Sequence, residues 1–547
     1  MVSTEYEVLF PLLNDDELAL AASVGTVETF REGDIVFEVG DHPLDFFVIL
    51  NGEIQVFDTS SGEERHLKRS GRGGFTGEIG MLAGYPAFAR CRAVTDCELI
   101  RLNAEQTREL LVQAADFAEK WIPALMARRQ SMTAGSFEGY RVFGPAGHPP
   151  TLEVRSFLDR NGLPYRWLDC GDPESSHLLP EGEWKPEDFP LISWAKQVIL
   201  RNPSIPALAD HLGVRLVLPD MLFDVVIIGS GPSGLGAAVY AASEGLSTLV
   251  LDALGPGGQA GSSSRIENFA GFPAGVSGRE LALRSYVQAL KFGARFSSPV
   301  RVEAVGRNGD GELVLTTDAG QPVRTKTLVV ATGVSYRKLA VPGLRERQGA
   351  GVYYAATGVE AVLCRQAPVH IIGAGNSAGQ AAMFLCKFSP RVNLVVRGGD
   401  LGKSMSSYLA DRVKAEERIQ VRYQTELRGV GGEGRVSTVT LEDKAAQTTT
   451  EEPSCAVFIF IGASPYTEFL GDAVMKDDHG FLCTDPVRIP EIDTPEGRRK
   501  KLPLETTMAG VFAAGDCRAD STKRVAAAVG DGALAINSIH EILGTYA

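Results

Sequence analysis

Apolar residues along this chain follow two rhythms. Between residues 10 and 102 they fall in short alternating or clustered runs: Phe30 with Val36 and Phe37, then Phe46 to Leu50, then Ile54 and Val56. Turn-forming pairs at Gly33-Asp34, Gly40-Asp41 and Asn51-Gly52 punctuate them, which predicts a sheet of short strands. Residues 103 to 132 read as helix. Residues 138–220 open with a short strand, a loop from Gly144 to Thr151, and an amphipathic helix carrying Leu152, Val154, Phe157 and Leu158, which predicts a βαβ opening. Beyond Met221 the apolar runs become continuous, as in Val225–Ile228 and Val369–Ile372, and helical stretches follow them. Such runs suit strands of a parallel sheet buried on both faces.

Two of these runs end in glycine-rich turns. Ile228 leads into Gly229, Ser230, Gly231, Pro232, Ser233 and Gly234, a GxGxxG turn, and a helix with Ala237, Ala238 and Ala241 follows. The first glycine permits the turn, the second lets a pyrophosphate approach the backbone, and the third packs helix against strand. The free N–H groups and dipole of the helix start favour the phosphates. Asp252, after the run Thr248–Leu251, is placed to accept from a ribose hydroxyl. This pattern predicts a dinucleotide site. A second unit runs from Val369–Ile372 through Gly373, Ala374, Gly375, Asn376, Ser377 and Ala378 into a helix reaching Cys386. Its next strand, Asn393–Val396, ends on Arg397, where an NAD site would place a carboxylate. A cation there accommodates a 2′-phosphate, so NADPH is expected over NADH, with Lys403 as a second charge.

Composition narrows the class. A length of 547 residues predicts about three or four domains. Apolar content of 44% with 22% charged residues describes soluble globular material, and a formal charge of −14 argues against a nucleic-acid partner. No apolar run reaches the ~18–20 residues of a membrane span. Residues 1 to 20 lack the charged start and apolar core of a secretory signal. The eight cysteines are dispersed and no two make CxxC, which fits reduced cytoplasmic thiols, with neither a disulfide framework nor a metal site.

Three resemblances refine this. FREGDIVFEVGDHPLDFFVILNGEIQVF with TGEIGMLAGYPAFARCRA resembles the cyclic-nucleotide-binding β-roll, over residues 1–134. The resemblance implies that backbone N–H groups around Gly77 and an arginine after the proline hold the cyclic phosphate, while Glu78 takes the ribose hydroxyl. Here Ala87 follows Pro86, and Arg90 stands three residues on as a substitute. Losing that charge-assisted contact costs about 1.5–3 kcal/mol, roughly ten- to a hundredfold in affinity. Two readings stay open: a weakly bound cyclic nucleotide, or a roll kept for packing or partner contacts. No helix-turn-helix pattern follows, so gene regulation by DNA binding is excluded. Residues 138–220 resemble a glutaredoxin or thioredoxin-like fold, which would make Pro190 the family's cis-proline. The loop where its CxxC would sit holds no cysteine, and Cys170 alone cannot exchange a disulfide, so a scaffold or docking role is expected.

From Met221 the chain resembles the low-molecular-weight thioredoxin reductases, two-dinucleotide flavoproteins. The residues carrying this are the first turn, Gly257-Gly258-Gln259, Ile266 to Pro273, Val329 to Gly333, and Gly510 to Asp516. The resemblance implies FAD contacts from Gly258, Gln259 and Asn268 and a chain exit from the FAD domain at Ala331, Thr332 and Gly333. It also implies that Gly515 and Asp516 meet the ribitol, and that Arg524, Val525 and Ala526 open a last helix aimed at the flavin. The implied layout is an FAD domain at 221–338 with 464–547 and an NAD(P)H domain at 339–463, rotating about crossovers near Leu339 and Ser464. The expected fold is thus multidomain: a jelly-roll-like β-roll, a thioredoxin-like α/β middle domain, and a double Rossmann-like α/β flavoprotein, expected to form a homodimer.

One departure bears on the chemistry. The family's redox-active CATC matches Tyr353 to Gly358 here, with Ala355 and Gly358 at the cysteine positions. Cys364 has no cysteine nearby in sequence and reads as an inert buried thiol. What survives is hydride transfer from NADPH to FAD, with no catalytic side chain assigned. One reading is a reductase passing electrons to an outside acceptor: a thioredoxin-like protein, ferredoxin, flavodoxin, quinone or small oxidant. Ferredoxin reductases of this type extend past the last helix, which weakens the ferredoxin expectation. The other reading is a redox or ligand sensor in which the β-roll regulates.

Overall fold

The computed structural model describes residues 7–545 apart from 78, 133–138, 146–147, 173–174, 176, 264–265, 267, 337–338, 349, 355, 357–363, 365–366, 403–404, 434 and 495–496. Helix α1 (Asp15–Val24) opens on a capping box, in which Asn14 and Glu17 each accept from the other's backbone N–H. Seven strands follow: β1 (Thr26–Phe30), β2 (Ile35–Phe37), β3 (Phe46–Asn51), β4 (Ile54–Asp58), β5 (Arg65–Ser70), β6 (Arg90–Ala93) and β7 (Cys97–Leu102). They form two antiparallel sheets, β1-β7-β3 and β2-β6-β4-β5. The helical stretch expected over 103–132 breaks at Ala114, whose extended backbone separates α2 (Ala104–Gln113) from α3 (Ala115–Ser131). Trp121 of α3 is fully buried and stacks on Phe46 and Phe75. This core continues into Tyr286, Val287 and Leu290, far along the chain.

The middle region contains β8 (Tyr140–Phe143), α4 (Pro149–Arg160), β9 (Tyr165–Leu168), β10 (Leu191–Trp194), β11 (Gln197–Arg201) and α5 (Ile205–His211). Its sheet runs β11-β10-β8-β9, with β8 and β9 parallel and the other pairs antiparallel. Helix α4 turns Val154, Phe157 and Leu158 inward, each burial worth about 1.5–3 kcal/mol. The Phe189–Pro190 peptide is cis. Tyr85 and Phe88 of the roll belong to this same apolar core. Buried Asn161 then joins three regions: its Nδ2 donates to Leu254 O at 2.9 Å, and its Oδ1 accepts from Ser298 Oγ at 2.8 Å and Tyr85 Oη at 3.3 Å. Its carbonyl accepts from Arg129 at 2.8 Å.

The third region begins with β12 (Leu222–Ile228), α6 (Pro232–Ser243), β13 (Thr248–Leu251), α7 (Gly278–Lys291), β14 (Arg295–Ser297), β15 (Val302–Arg307), β16 (Leu313–Thr317), β17 (Val323–Val330) and β18 (Val334–Tyr336). A second nucleotide fold follows: β19 (Val352–Tyr353), β20 (Val369–Ile372), α8 (Asn376–Leu385), β21 (Val392–Val395), α9 (Ser407–Ala415), β22 (Ile419–Arg422), β23 (Thr425–Gly431), β24 (Thr438–Asp443), β25 (Thr448–Pro453) and β26 (Ala456–Ile459). The chain returns through β27 (Ala463–Pro465), β28 (Glu491–Thr494), β29 (Gly497–Lys500), β30 (Val511–Ala513) and α10 (Val525–Leu543).

The first large sheet runs β14-β13-β12-β17-β16-β15, with β30 added beside β17. Val225 to Ile228 are buried because β12 pairs in parallel with β13 on one side and β17 on the other. The second sheet is parallel, β19-β26-β20-β21-β22. The two nucleotide folds are joined by β18 and β27, which pair antiparallel with Ser335 opposite Ser464. Among the described residues no helix is long and apolar enough to cross a membrane.

Candidate functional site

The first glycine turn is built by close backbone approach. Gly229 has φ +101°, and a Cβ there would lie 2.5 Å from Ala331 O; one at Gly234 would lie 1.8 Å from Gly229 O. Only glycine satisfies both contacts. Thr332, in the adjoining strand exit, donates to Tyr466 O at 2.8 Å, and Gly333 has φ +63°. Gly258 rests on Gly231, where an added Cβ would meet Gly231 Cα at 2.8 Å. Gly231 starts α6 with Pro232 in the first turn and no side-chain cap. The Ser233 hydroxyl is buried with no hydrogen-bond partner. From the other end of the domain, Gly515 (φ +75°) presses on Ser233. A cavity lined by Pro232, Gly257, Ala260, Leu281 and Val529 adjoins these turns.

Asp516 follows Gly515 and is half-buried. Burial raises its pKa above the usual carboxylate range, against the pull of Lys523 and Arg524. Arg524 caps α10 with backbone only, so the N–H groups of Val525 and Ala526 are open to an anion. Other helix starts vary: Asn103 and Ser277 close α2 and α7 with side chains, whereas α3, α4 and α9 also begin without a side-chain cap but carry no glycine turn. These features fit a bound dinucleotide, with two uncapped helix starts, an orphaned hydroxyl, glycine contacts that leave no room for side chains, and a carboxylate awaiting donors. Gln259 stands exposed beside the turn of Ala260–Ser262, and Asn268 is also exposed.

Asp252 behaves differently from a free ribose acceptor. One oxygen accepts from Ser230 N and Ser230 Oγ, both at 2.7 Å; the other accepts from Leu254 N at 2.8 Å and Gly255 N at 2.7 Å. Four donors fill a carboxylate's sites, so in this conformation Asp252 orders the turn.

The second glycine turn repeats the first. Gly373 has φ +143°, and its Cβ would lie 2.3 Å from Phe460 O. Gly375 starts α8 without a side-chain cap, Ala378 is fully buried, and Ser377 is exposed. Asn376 Oδ1 accepts from Ser406 N at 2.8 Å, anchoring the neighbouring loop. Arg397 is exposed just past β21, and its charge adds to those of Lys444 and Arg428 in lowering the Glu426 pKa. Lys403 lies outside the described residues, as do Ala355 and Gly358.

In the β-roll, Gly77 has φ +113° and its carbonyl accepts from Arg128 at 3.1 Å. Glu78 lies outside the described residues. Arg90 binds Glu38 at 2.7 Å and Glu64 at 2.5 Å, and Ala87 is buried. Two carboxylates therefore already match the charge that was expected to stand in for the missing arginine. Half-buried Arg128, held by the carbonyls of Leu9, Phe75 and Gly77, has its pKa pushed down to about 9 by desolvation.

Sequence reasoning missed Asp531, Gly532 and Asn161. Asp531 accepts from Gly515 N at 3.0 Å and pairs with Arg518, fixing the turn that carries Asp516. Gly532 lies where a Cβ would meet Ser233 O at 2.2 Å, so α10 approaches α6 closely. The alanine- and glycine-rich run from Ala526 to Ala535, with Asp531 its one charged residue, was the signal available for both.

Residues 223–532 match the family described as pyridine nucleotide-disulphide oxidoreductase, and residues 27–114 match the cyclic nucleotide-binding domain. A thioredoxin reductase of Treponema pallidum (strain Nichols) is 35% identical over 323 residues, covering 59% of this chain and 98% of that protein. One of Bacillus subtilis (strain 168) is 30% identical over 322 residues, covering 58% and 94%. The solved thioredoxin reductase from Streptococcus pyogenes MGAS5005 aligns with a TM-score of 0.52 at 29% identity, covering 60% of this chain and 100% of that one. The chain therefore belongs to the pyridine nucleotide-disulphide oxidoreductases, as a thioredoxin-reductase-like, NAD(P)H-dependent flavin oxidoreductase joined to a cyclic-nucleotide-binding domain.

Proposed function

We propose that this protein is an NADPH-dependent flavin reductase that passes electrons to an acceptor outside the chain, without a CxxC dithiol of its own. The observation that carries the reading is the conjunction of two uncapped glycine turns, one in each nucleotide fold, with eight cysteines of which no two make CxxC. FAD, bound between the α6 and α10 starts, would supply a two-electron acceptor that also releases electrons singly or in pairs. Gly229, Gly231, Ser233 and Gly234 hold its pyrophosphate, and Asp516 orients its ribitol. The uncapped start of α10 stabilises negative charge near the flavin. In the second fold, Gly373, Gly375 and the start of α8 hold the NADPH pyrophosphate, and Arg397 meets its 2′-phosphate. The paired strands β18 and β27 are the hinge about which the two folds reorient.

The acceptor is a thioredoxin-like protein, a ferredoxin or flavodoxin, or a small oxidant. The middle region, with its parallel β8–β9 pair and antiparallel β10 and β11, reads as a thioredoxin-like scaffold for docking. The domains are those of residues 1–134, 138–220, 221–338 with 464–547, and 339–463, in a homodimer of the cytoplasm. The β-roll serves packing, because Arg90 is committed to Glu38 and Glu64 and the cassette residues Tyr85 and Phe88 are packed into the middle region's core.

Anaerobic stopped-flow absorbance tests this. Adding NADPH should bleach the oxidised flavin band, adding an acceptor should restore it over repeated turnovers, and cyclic AMP should leave both rates unchanged. A colourless protein, or a flavin still oxidised after minutes with NADPH, would defeat the proposal. Acceleration by cyclic AMP would instead favour the regulatory reading of the roll.

A further inference from the structure

Cys364 stands alone in its stretch of sequence, yet the fold supplies it with a partner. Cys455, the residue before β26, packs against the same apolar cluster in which Cys364 is 1% exposed. The Cys455 N–H donates to Pro368 O at 3.0 Å and its thiol points to Ala367 O at 3.7 Å, holding this strand end against the segment that follows Cys364. The Cys364 thiol hydrogen-bonds the Cys455 sulfur. That bond is the main reason the Cys455 pKa falls below the usual thiol value, and Arg435 assists by charge. Burial moves other cysteines the opposite way: Cys170 and Cys517 rise to about 11, and Cys91, Cys386 and Cys483 rise as well. Cys455 is half-buried and so the more accessible of the two to an oxidant, while Cys364, 1% exposed, is placed to resolve.

We propose that Cys364 and Cys455 are a reversible dithiol–disulfide pair in the second nucleotide fold, oxidised by hydroperoxides. The Cys455 thiolate attacks one peroxide oxygen and the O–O bond breaks. The sulfur becomes a sulfenic acid, and the leaving hydroxide takes up a proton as water. The Cys364 sulfur then attacks the sulfenic sulfur. An S–S bond forms, the S–O bond breaks, and a second water carries off the Cys364 proton. Two thiols lose two electrons, and hydrogen peroxide becomes two waters. The bond would tie β26 to the segment ahead of β20. Phe460, the residue after the far end of β26, has its carbonyl against Gly373.

The test uses full-length, flavin-loaded protein, reduced, desalted and treated with hydrogen peroxide. Alkylation and non-reducing peptide mass spectrometry follow. The expected result is a linked peptide containing Cys364 and Cys455, with two of the eight thiols lost and both regained after dithiothreitol. In Cys364→Ser, dimedone should label Cys455; in Cys455→Ser, Cys364 should remain a thiol. The proposal is overturned if the wild-type protein forms no 364–455 link while Cys455 stays alkylatable. It is equally overturned if wild-type Cys455 proceeds to sulfonic acid as readily as it does in Cys364→Ser. The wild-type readout decides even if a variant folds poorly.

Discussion

Arg397 is exposed at the end of β21, the position that discriminates between nicotinamide nucleotides in this kind of fold. A charge-assisted contact with a 2′-phosphate is worth about 1.5–3 kcal/mol, so Arg397→Glu should raise KM for NADPH roughly ten- to a hundredfold. KM for NADH should change little, and steady-state kinetics with both nucleotides checks this; equal changes would remove the role. His370 shows a different side of the same fold. It is fully buried, with Nδ1 2.9 Å from Ser454 Oγ and Nε2 accepting from Asn393 Nδ2 at 3.1 Å. Desolvation outweighs the attraction of Glu452 and lowers its pKa from 6.5 to about 4. The unfolded chain therefore binds the proton first as pH falls. Stability from this group is present above pH 6.5 and is lost down to about pH 4, by roughly 3 kcal/mol in all. Urea melts across that range should show the loss, and His370→Gln should flatten it.

At the scale of elements, the pair α6–α10 decides whether the first dinucleotide site exists. Gly532 and Gly530 stand two residues apart on α10, but a Cβ on Gly532 would meet Ser233 O at 2.2 Å while one on Gly530 would meet nothing within 4 Å. Gly532→Ala should push α10 off α6 and cost about 1–3 kcal/mol. The expected readout is a melting temperature several degrees lower and less FAD retained on purification. Gly530→Ala should be tolerated or stabilise the helix by about 0.5–1 kcal/mol, through the higher helix propensity of alanine. Equal losses in both variants would mean that helix approach is not the reason. The glycine turns were legible in sequence because an apolar run, closely spaced glycines and a small-residue helix follow one another directly, although the backbone that Gly229 and Gly373 approach comes from far along the chain. The fit of α10 against α6 was not, since Gly532 and Ser233 are separated by the whole second nucleotide fold.

For the whole molecule, Asn161 is the joint. It ties the roll's Tyr85 and Arg129 to Ser298 and to Leu254, in the loop whose N–H groups also bind Asp252. Asn161→Ala leaves the Ser298 hydroxyl and the Leu254 carbonyl without these partners, at about 1–3 kcal/mol each. Hydrogen exchange at Leu254 and Gly255 should quicken, while the strands β20 to β22 keep their protection. Unchanged exchange at Leu254 would show that apolar packing alone docks the middle region. This joint also bears on the β-roll. Tyr85 and Phe88 belong to the stretch that resembles a phosphate-binding cassette, yet they are packed into the core of the middle region.

The sequence by itself determined the two nucleotide folds, the β-roll and the family, because each is written in local patterns: an apolar run, a glycine turn, a small-residue helix. It also determined that no CxxC exists anywhere in the chain. Tertiary structure alone decided which charges were already spoken for. Arg90 meets Glu38 and Glu64 at the ends of other strands, Asp252 meets Ser230 of the glycine turn, and Cys364 meets Cys455. Folding sets such pairings through distances between distant residues, and a linear pattern carries no record of those distances.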